Sequence, residues 1–230
     1  MQIKKKYKIL YILTSVFISS TGVLFAQKSV THQSQYWLRY FGKYNLSPHY
    51  TIDVEFEDRR FFKDDRQGNW VLPRVTLERE LGAGWSAGIG FTYYTSLNPQ
   101  DPTKPQQLTV PELRPDEFLS YKQKIENLTI SHRFQLEQRW TRKSSGSELK
   151  SGYTFTQRFR YQLQLQYPLI KKLTATGTLN AKAADEILLN MGHSIVYNTF
   201  DQNRAYLGLN YGITNSFQVE LGYVSYFQEQ

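Results

Sequence analysis

Hydrophobic and polar residues alternate singly along most of the chain beyond its first thirty positions. Between Leu128 and Trp140, Leu128, Ile130, Phe134, Leu136 and Trp140 share one face, with His132 and Gln138 as exceptions. Thr129, Ser131, Arg133, Gln135, Glu137 and Arg139 take the other. A polar loop over 143–150 follows, and then Tyr153, Phe155, Phe159, Tyr161, Leu163, Leu165 and Tyr167 oppose Thr154, Thr156, Arg158, Arg160, Gln162, Gln164 and Gln166. Period two predicts β-strands, because successive side chains leave opposite faces of the pleat. These strands run to roughly twice the common length of about 5–6 residues.

The same rhythm predicts further strands. Tyr36, Leu38 and Tyr40 alternate with Trp37, Arg39, Phe41 and Lys43; Ile52, Val54 and Phe56 oppose Asp53, Glu55 and Glu57, with Arg59 following. Val71, Val75 and Leu77 oppose Arg74, Thr76, Glu78 and Glu80, and Trp85 to Tyr94 alternates again. A less regular strand is expected over 112–124. A strand starting at Leu173 puts Lys182, Glu186 and Asn190 on its polar face, and one starting at Asp201 does the same with Gln202, Arg204, Tyr206 and Asn210. The last strand sets Phe217, Val219, Leu221, Tyr223 and Phe227 against Gln218, Glu220 and Tyr226. About ten strands result. The odd-numbered connections read as short and the even-numbered ones as longer, which suggests periplasmic turns and external loops, with both termini expected on the periplasmic side.

Alternation alone does not say which face looks outward, since a soluble barrel has the same period with its apolar face inside. Strands of ten or more residues suit the ~9–11 that cross a bilayer at a tilt. Trp37, Trp70, Trp85, Trp140, Tyr167 and Phe227 fall near strand ends, where interfacial aromatic girdles belong. The expected fold is therefore all-β, an antiparallel up-and-down transmembrane β-barrel of about ten strands.

Composition changes this picture little. Aromatic residues make up 15% of the 230, yet mean hydropathy is −0.54, which fits amphipathic strands better than a helical bundle. Residues 1–26 read as a signal peptide: Lys4, Lys5, Lys6 and Lys8 precede an apolar core over 9–25, with Ala26 at the expected cut. The remaining domain would span 27–230, and the alternative is an uncleaved anchor helix. Removing those four lysines reduces the formal charge from +8 to +4, spread along strands, so no nucleic-acid partner is expected. The absence of cysteine excludes lipoprotein modification, disulfides and thiolate metal sites.

With the polar face inward, Asp53, Glu55, Glu57, Arg59, Arg74, Glu78, Arg133, Glu137, Arg139, Arg158, Arg160, Glu186, Asn190 and Arg204 would line a narrow lumen as a polar network. Buried charges persist when paired and hydrogen-bonded, so a salt-bridged plug is expected, with a polar path or ligand site as the sharper alternative. Candidate catalysis is thin. His193-Ser194 with Asp201 nearby is the one cluster in reach of hydrolase chemistry, and no G-x-S-x-G surrounds it. His132 falls on the lipid-facing phase. Gly82, Gly84, Gly88 and Gly90 lie in a hairpin rather than a strand-to-helix turn, so they are no phosphate loop. No metal site, cofactor or catalytic residue is expected.

Several segments together resemble a family. These are Glu55-Phe56-Glu57-Asp58-Arg59, Pro111-Glu112-Leu113-Arg114-Pro115, the run from His132 to Arg139, Asp185-Glu186-Ile187-Leu188-Leu189-Asn190, Phe200-Asp201-Gln202-Asn203-Arg204, and then Gly208 and Gly222-Tyr223. They resemble the uncharacterised exported family called domain of unknown function 2490, across most of the chain after residue 26. The resemblance implies an outer-membrane barrel of Gram-negative, often Bacteroidetes-like, bacteria, and carries no known activity or catalytic residue. The expectation is a non-enzymatic, porin-like barrel of the cell outer membrane with a structural role or one in binding or passing a small solute. Its partners would be outer-membrane lipids and, during biogenesis, the barrel-assembly machinery. A barrel hydrolase at the extracellular rim and a soluble periplasmic barrel for an apolar ligand are the alternatives.

Overall fold

The alternating runs become ten strands in the computed structural model, which describes residues 32–63, 67–99, 108–171, 177–192 and 199–228. The signal-segment reading falls outside these residues. The strands are β1 (Gln35–Asn45), β2 (Tyr50–Phe61), β3 (Gln67–Gly82), β4 (Trp85–Asn98), β5 (Leu108–Ile125), β6 (Leu128–Ser145), β7 (Glu148–Ile170), β8 (Leu179–Met191), β9 (Phe200–Gly212) and β10 (Gln218–Gln228). Each pairs antiparallel with the next in the order β1 to β10, an up-and-down meander. No helix among the described residues is long and apolar enough to cross a membrane, which says nothing about strands.

The sheet curls with its polar face inside. Among the described residues four apolar side chains are buried, Phe61, Val71, Val110 and Leu188, against sixteen polar or charged ones. Large apolar side chains cover the outside, from Leu38 on β1 to Leu207 on β9 and Leu221 on β10. A soluble barrel for an apolar ligand needs the opposite facing. The outer face does carry polar residues, and these find partners on it: Gln138 donates to Glu117 at 2.8 Å, Asn203 to Asp185 at 2.9 Å, and His132 Nδ1 meets the Tyr161 hydroxyl at 2.9 Å.

The curl brings the sheet edges together without zipping them. Among the described residues no ladder joins β1 to β10, yet the rings of Trp37 and Tyr226 stand 6.3 Å apart across the seam. Trp37 therefore faces the interior, under the Arg59 guanidinium 3.8 Å from its ring, and is not part of an outer girdle. Trp70, Trp85, Trp140, Tyr167 and Phe227 are exposed, as an outer girdle requires.

Five expectations change in the structure. The polar loop over 143–150 is the tip of a hairpin: the β6–β7 ladder continues to Ser145↔Glu148, joined by a two-residue turn. Conversely, residues 177–178 are not strand and β8 is described from Leu179, with eight residues between it and β7, while Leu173 lies outside the described residues. The even connections then have five, nine, two and eight residues and the odd ones four, two, two, eight and five, so length no longer marks the ends. Gln35 pairs with Phe61, so the start of β1 and the end of β10 lie at the even-connection end. Periplasmic termini and external even connections are thus incompatible. Last, Val71 is buried on the same inner face as half-buried Arg74 rather than opposite it, because a register shift between them, next to Pro73, resets the phase of β3.

Candidate functional site: an arginine–carboxylate interior

Period two places every second residue inside, so each strand contributes a short ladder of charges. On β2 these are Glu55, Glu57 and Arg59, all buried, and on β6 Arg133, Gln135, Glu137 and Arg139. Antiparallel register then sets charges opposite one another. Arg74 lies across from Glu55, Arg158 across from Glu137, and Arg204 across from Glu186. Pairing between strands and along them compensates the cost of removing the charges from water.

Glu137 is the centre, with 1% of its surface exposed. It accepts from Arg158 Nε at 2.7 Å and Arg160 Nη1 at 2.6 Å, and Arg114 Nη1 stands 3.9 Å away. Arg160 also donates to Glu186 through Nε at 3.1 Å and Nη2 at 2.6 Å, and Glu186 accepts from Arg133 Nη2 at 3.0 Å as well. Arg158 extends the network to β9, donating from Nη1 to Asp201 at 2.7 Å. Arg204 pairs with Glu186 at 3.6 Å, while its Nε and Nη2 both donate to Gln202 Oε1, at 3.0 and 2.6 Å.

A second group surrounds Glu55, which accepts from Arg39 Nη2 at 2.6 Å and Arg74 Nη1 at 3.0 Å. Glu57 accepts from Arg59 Nε at 2.5 Å, two residues along the same strand. Asp53 and Glu78 stand apart from both groups, toward the odd-connection end, where half-exposed Lys43 reaches them at 3.5 and 3.3 Å. Asn190 is half-buried at the opposite end, its backbone N–H donating to Thr199 at 2.6 Å.

Sequence reasoning missed the contribution of β5. Glu112, Arg114 and Asp116 are all buried. Glu112 receives a bidentate fork from Arg139, Nε to Oε1 at 2.8 Å and Nη2 to Oε2 at 2.9 Å, plus Arg114 Nε at 2.7 Å. Glu-x-Arg-x-Asp at period two was the available signal. Pro111 and Pro115 obscured it by occupying the outward positions where apolar strand formers were expected. Pro115 is accommodated because the β5–β6 ladder skips from Leu113↔Trp140 to Asp116↔Glu137, leaving no partner for the missing N–H. Asp116 has room because Gly90 faces it: a Cβ there would lie 2.8 Å from Asp116 Oδ1. Arg39 was missed for another reason, since it shares a face with Trp37 and Phe41 and looked no more inward than outward.

A cavity of about 350 Å³ opens inside the even-connection end. Arginines from β2, β3, β5, β6, β7 and β9 line it, with Tyr94, Tyr226 and Gln202 between them. Asp201 is spoken for by Arg158, and His193 and Ser194 lie outside the described residues. No group of three metal-ligating side chains occurs among the described residues.

The family model described as "Protein of unknown function (DUF2490)" matches residues 34–230, the whole span of the sheet. The chain belongs to this family. Every described strand and every described member of the interior network lies within that match. No curated protein matches the chain.

Proposed function

We propose that this DUF2490 domain is a non-enzymatic outer-membrane β-barrel whose ion-paired interior holds the wall together and binds a small solute. One observation carries the reading: the protein is inside out relative to a water-soluble barrel. Glu137 is 1% exposed while Leu221 is 80% exposed. A soluble chain gains most of its stability by burying apolar surface, whereas in lipid that surface is satisfied where it stands. The strands are long enough for the crossing, at 11 to 23 residues.

Two further points support it. Exposed Trp70, Trp85, Trp140, Tyr167 and Phe227 suit the interfacial levels of a bilayer. In a membrane the open β1/β10 edges would each leave a row of costly unpaired backbone groups, so the seam should zip there, with the Trp37–Tyr226 contact setting its register. The lipids of the outer membrane and the assembly machinery that inserts barrels are the partners this reading calls for. Insertion from the periplasm leaves the start of β1 and the end of β10 on that side, and the cavity mouth with them.

Membrane fractionation, followed by SDS gels with and without boiling, tests this. Outer-membrane recovery with a heat-dependent mobility shift is expected. Recovery as a detergent-free periplasmic protein would overturn it.

A further inference from the structure

The side chains that line the cavity at the even-connection end are unequal in charge. Seven arginines line it against one carboxylate, Asp201. The carboxylates that balance these arginines stand behind them in the wall: Glu57 pairs with Arg59 and Glu55 with Arg74, while Glu112 serves Arg114 and Arg139, Glu137 serves Arg114, Arg158 and Arg160, and Glu186 serves Arg160 and Arg204. A fork shared in this way keeps N–H donors beyond those its carboxylate can take, since each guanidinium has five. Arg204 shows this most clearly: two of its nitrogens rest on the neutral Gln202 amide, and its carboxylate is 3.6 Å away. Two other forks are held by ring contacts, Arg114 over Tyr94 at 4.5 Å and Arg59 over Trp37 at 3.8 Å. Those contacts restrict the side chains before any ligand arrives, which lowers the entropy cost of binding.

We infer that this cavity binds a small multivalent oxyanion of the phosphate class. Arginine forks match the oxygen geometry of such groups and hold them by charge-assisted hydrogen bonds. The volume of about 350 Å³ is at the small end of the range for ligand pockets, which favours a compact anion over a large one. The inference deepens the solute-binding part of the reading above and is independent of where the protein resides.

The test is titration calorimetry of the full chain in detergent, with inorganic pyrophosphate as the probe at fixed ionic strength. Saturable binding is expected, weakened about tenfold or more by Arg204→Gln. That change leaves Glu186 with Arg133 and Arg160, so the wall keeps its pairing. Lys150→Gln, at an exposed position beside the β6–β7 turn that does not line the cavity, should bind as the unaltered chain does. Should Arg204→Gln fail to fold, the unaltered chain gives a second reading: pyrophosphate should raise its unfolding temperature, and sodium chloride of equal ionic strength should not. Absence of binding, equal affinity in Arg204→Gln, no rise in unfolding temperature, or binding to phosphatidic-acid vesicles without binding of free pyrophosphate each overturns the inference. None of these outcomes touches the membrane reading, which the heat-dependent gel shift decides separately.

Discussion

Glu137 and Arg158 face each other directly across the β6–β7 ladder, and the arginine Nε donates to the carboxylate at 2.7 Å. Register alone produces this pair. Arg160, two residues on, reaches the other oxygen of the same carboxylate at 2.6 Å. One buried acid thus ties two guanidinium groups that connect onward to β8 and β9.

Glu137→Ala should be among the most damaging single changes in the chain. It leaves two buried arginines short of a partner, a loss of roughly 3–5 kcal/mol for a dry pair. Urea unfolding followed by gel mobility reads this directly. Wild-type stability in the variant would mean that water already screens the network.

Leu207→Arg separates a lipid-facing wall from a wetted one. Leu207 is 65% exposed near the middle of β9. In water such a change at an exposed site stays within about 0.5 kcal/mol. At the middle of a bilayer an outward arginine costs about 2–4 kcal/mol. Unfolding free energies measured in lipid vesicles decide between these values.

The seam makes a geometric prediction. β1 and β10 run antiparallel, and Trp37 faces Tyr226, so a closed seam sets Leu38 opposite Ser225. The chain has no cysteine, so the double variant Leu38→Cys/Ser225→Cys carries only the two introduced thiols. Facing Cα atoms about 4.5–5.5 Å apart fall within disulfide range. Oxidation in membranes should cross-link this pair, whereas Leu38→Cys/Leu221→Cys, four residues out of register, should stay reduced. The reverse pattern would mean that the seam closes in another register.

Gly90→Ala tests the packing of β4 against β5. The new methyl group would lie 2.8 and 3.0 Å from the two oxygens of Asp116, which accepts from Gln135 Nε2 at 2.9 Å. Pushing that carboxylate aside should destabilise the protein by about 1–3 kcal/mol. Thermal unfolding checks this, and an unchanged midpoint would show that Asp116 moves freely.

Strands and the division of their side chains into two faces were legible in the sequence, because period two is a property of the local backbone. The ionic face from Glu55 to Arg59 and from Arg133 to Arg139 could be read in the same way. Tertiary structure decided which face is inside, since that follows from the curl of the whole sheet and no single strand contains it. It also decided the partners: Arg133 and Glu186 lie 53 residues apart and meet only because three strands stack in register. Local irregularities hid the rest. Two prolines masked Glu112, Arg114 and Asp116, a bulge reversed Val71, and a polar hairpin tip passed for a loop. In each case hydrogen bonding to a neighbouring strand overrode what the residue signals by itself.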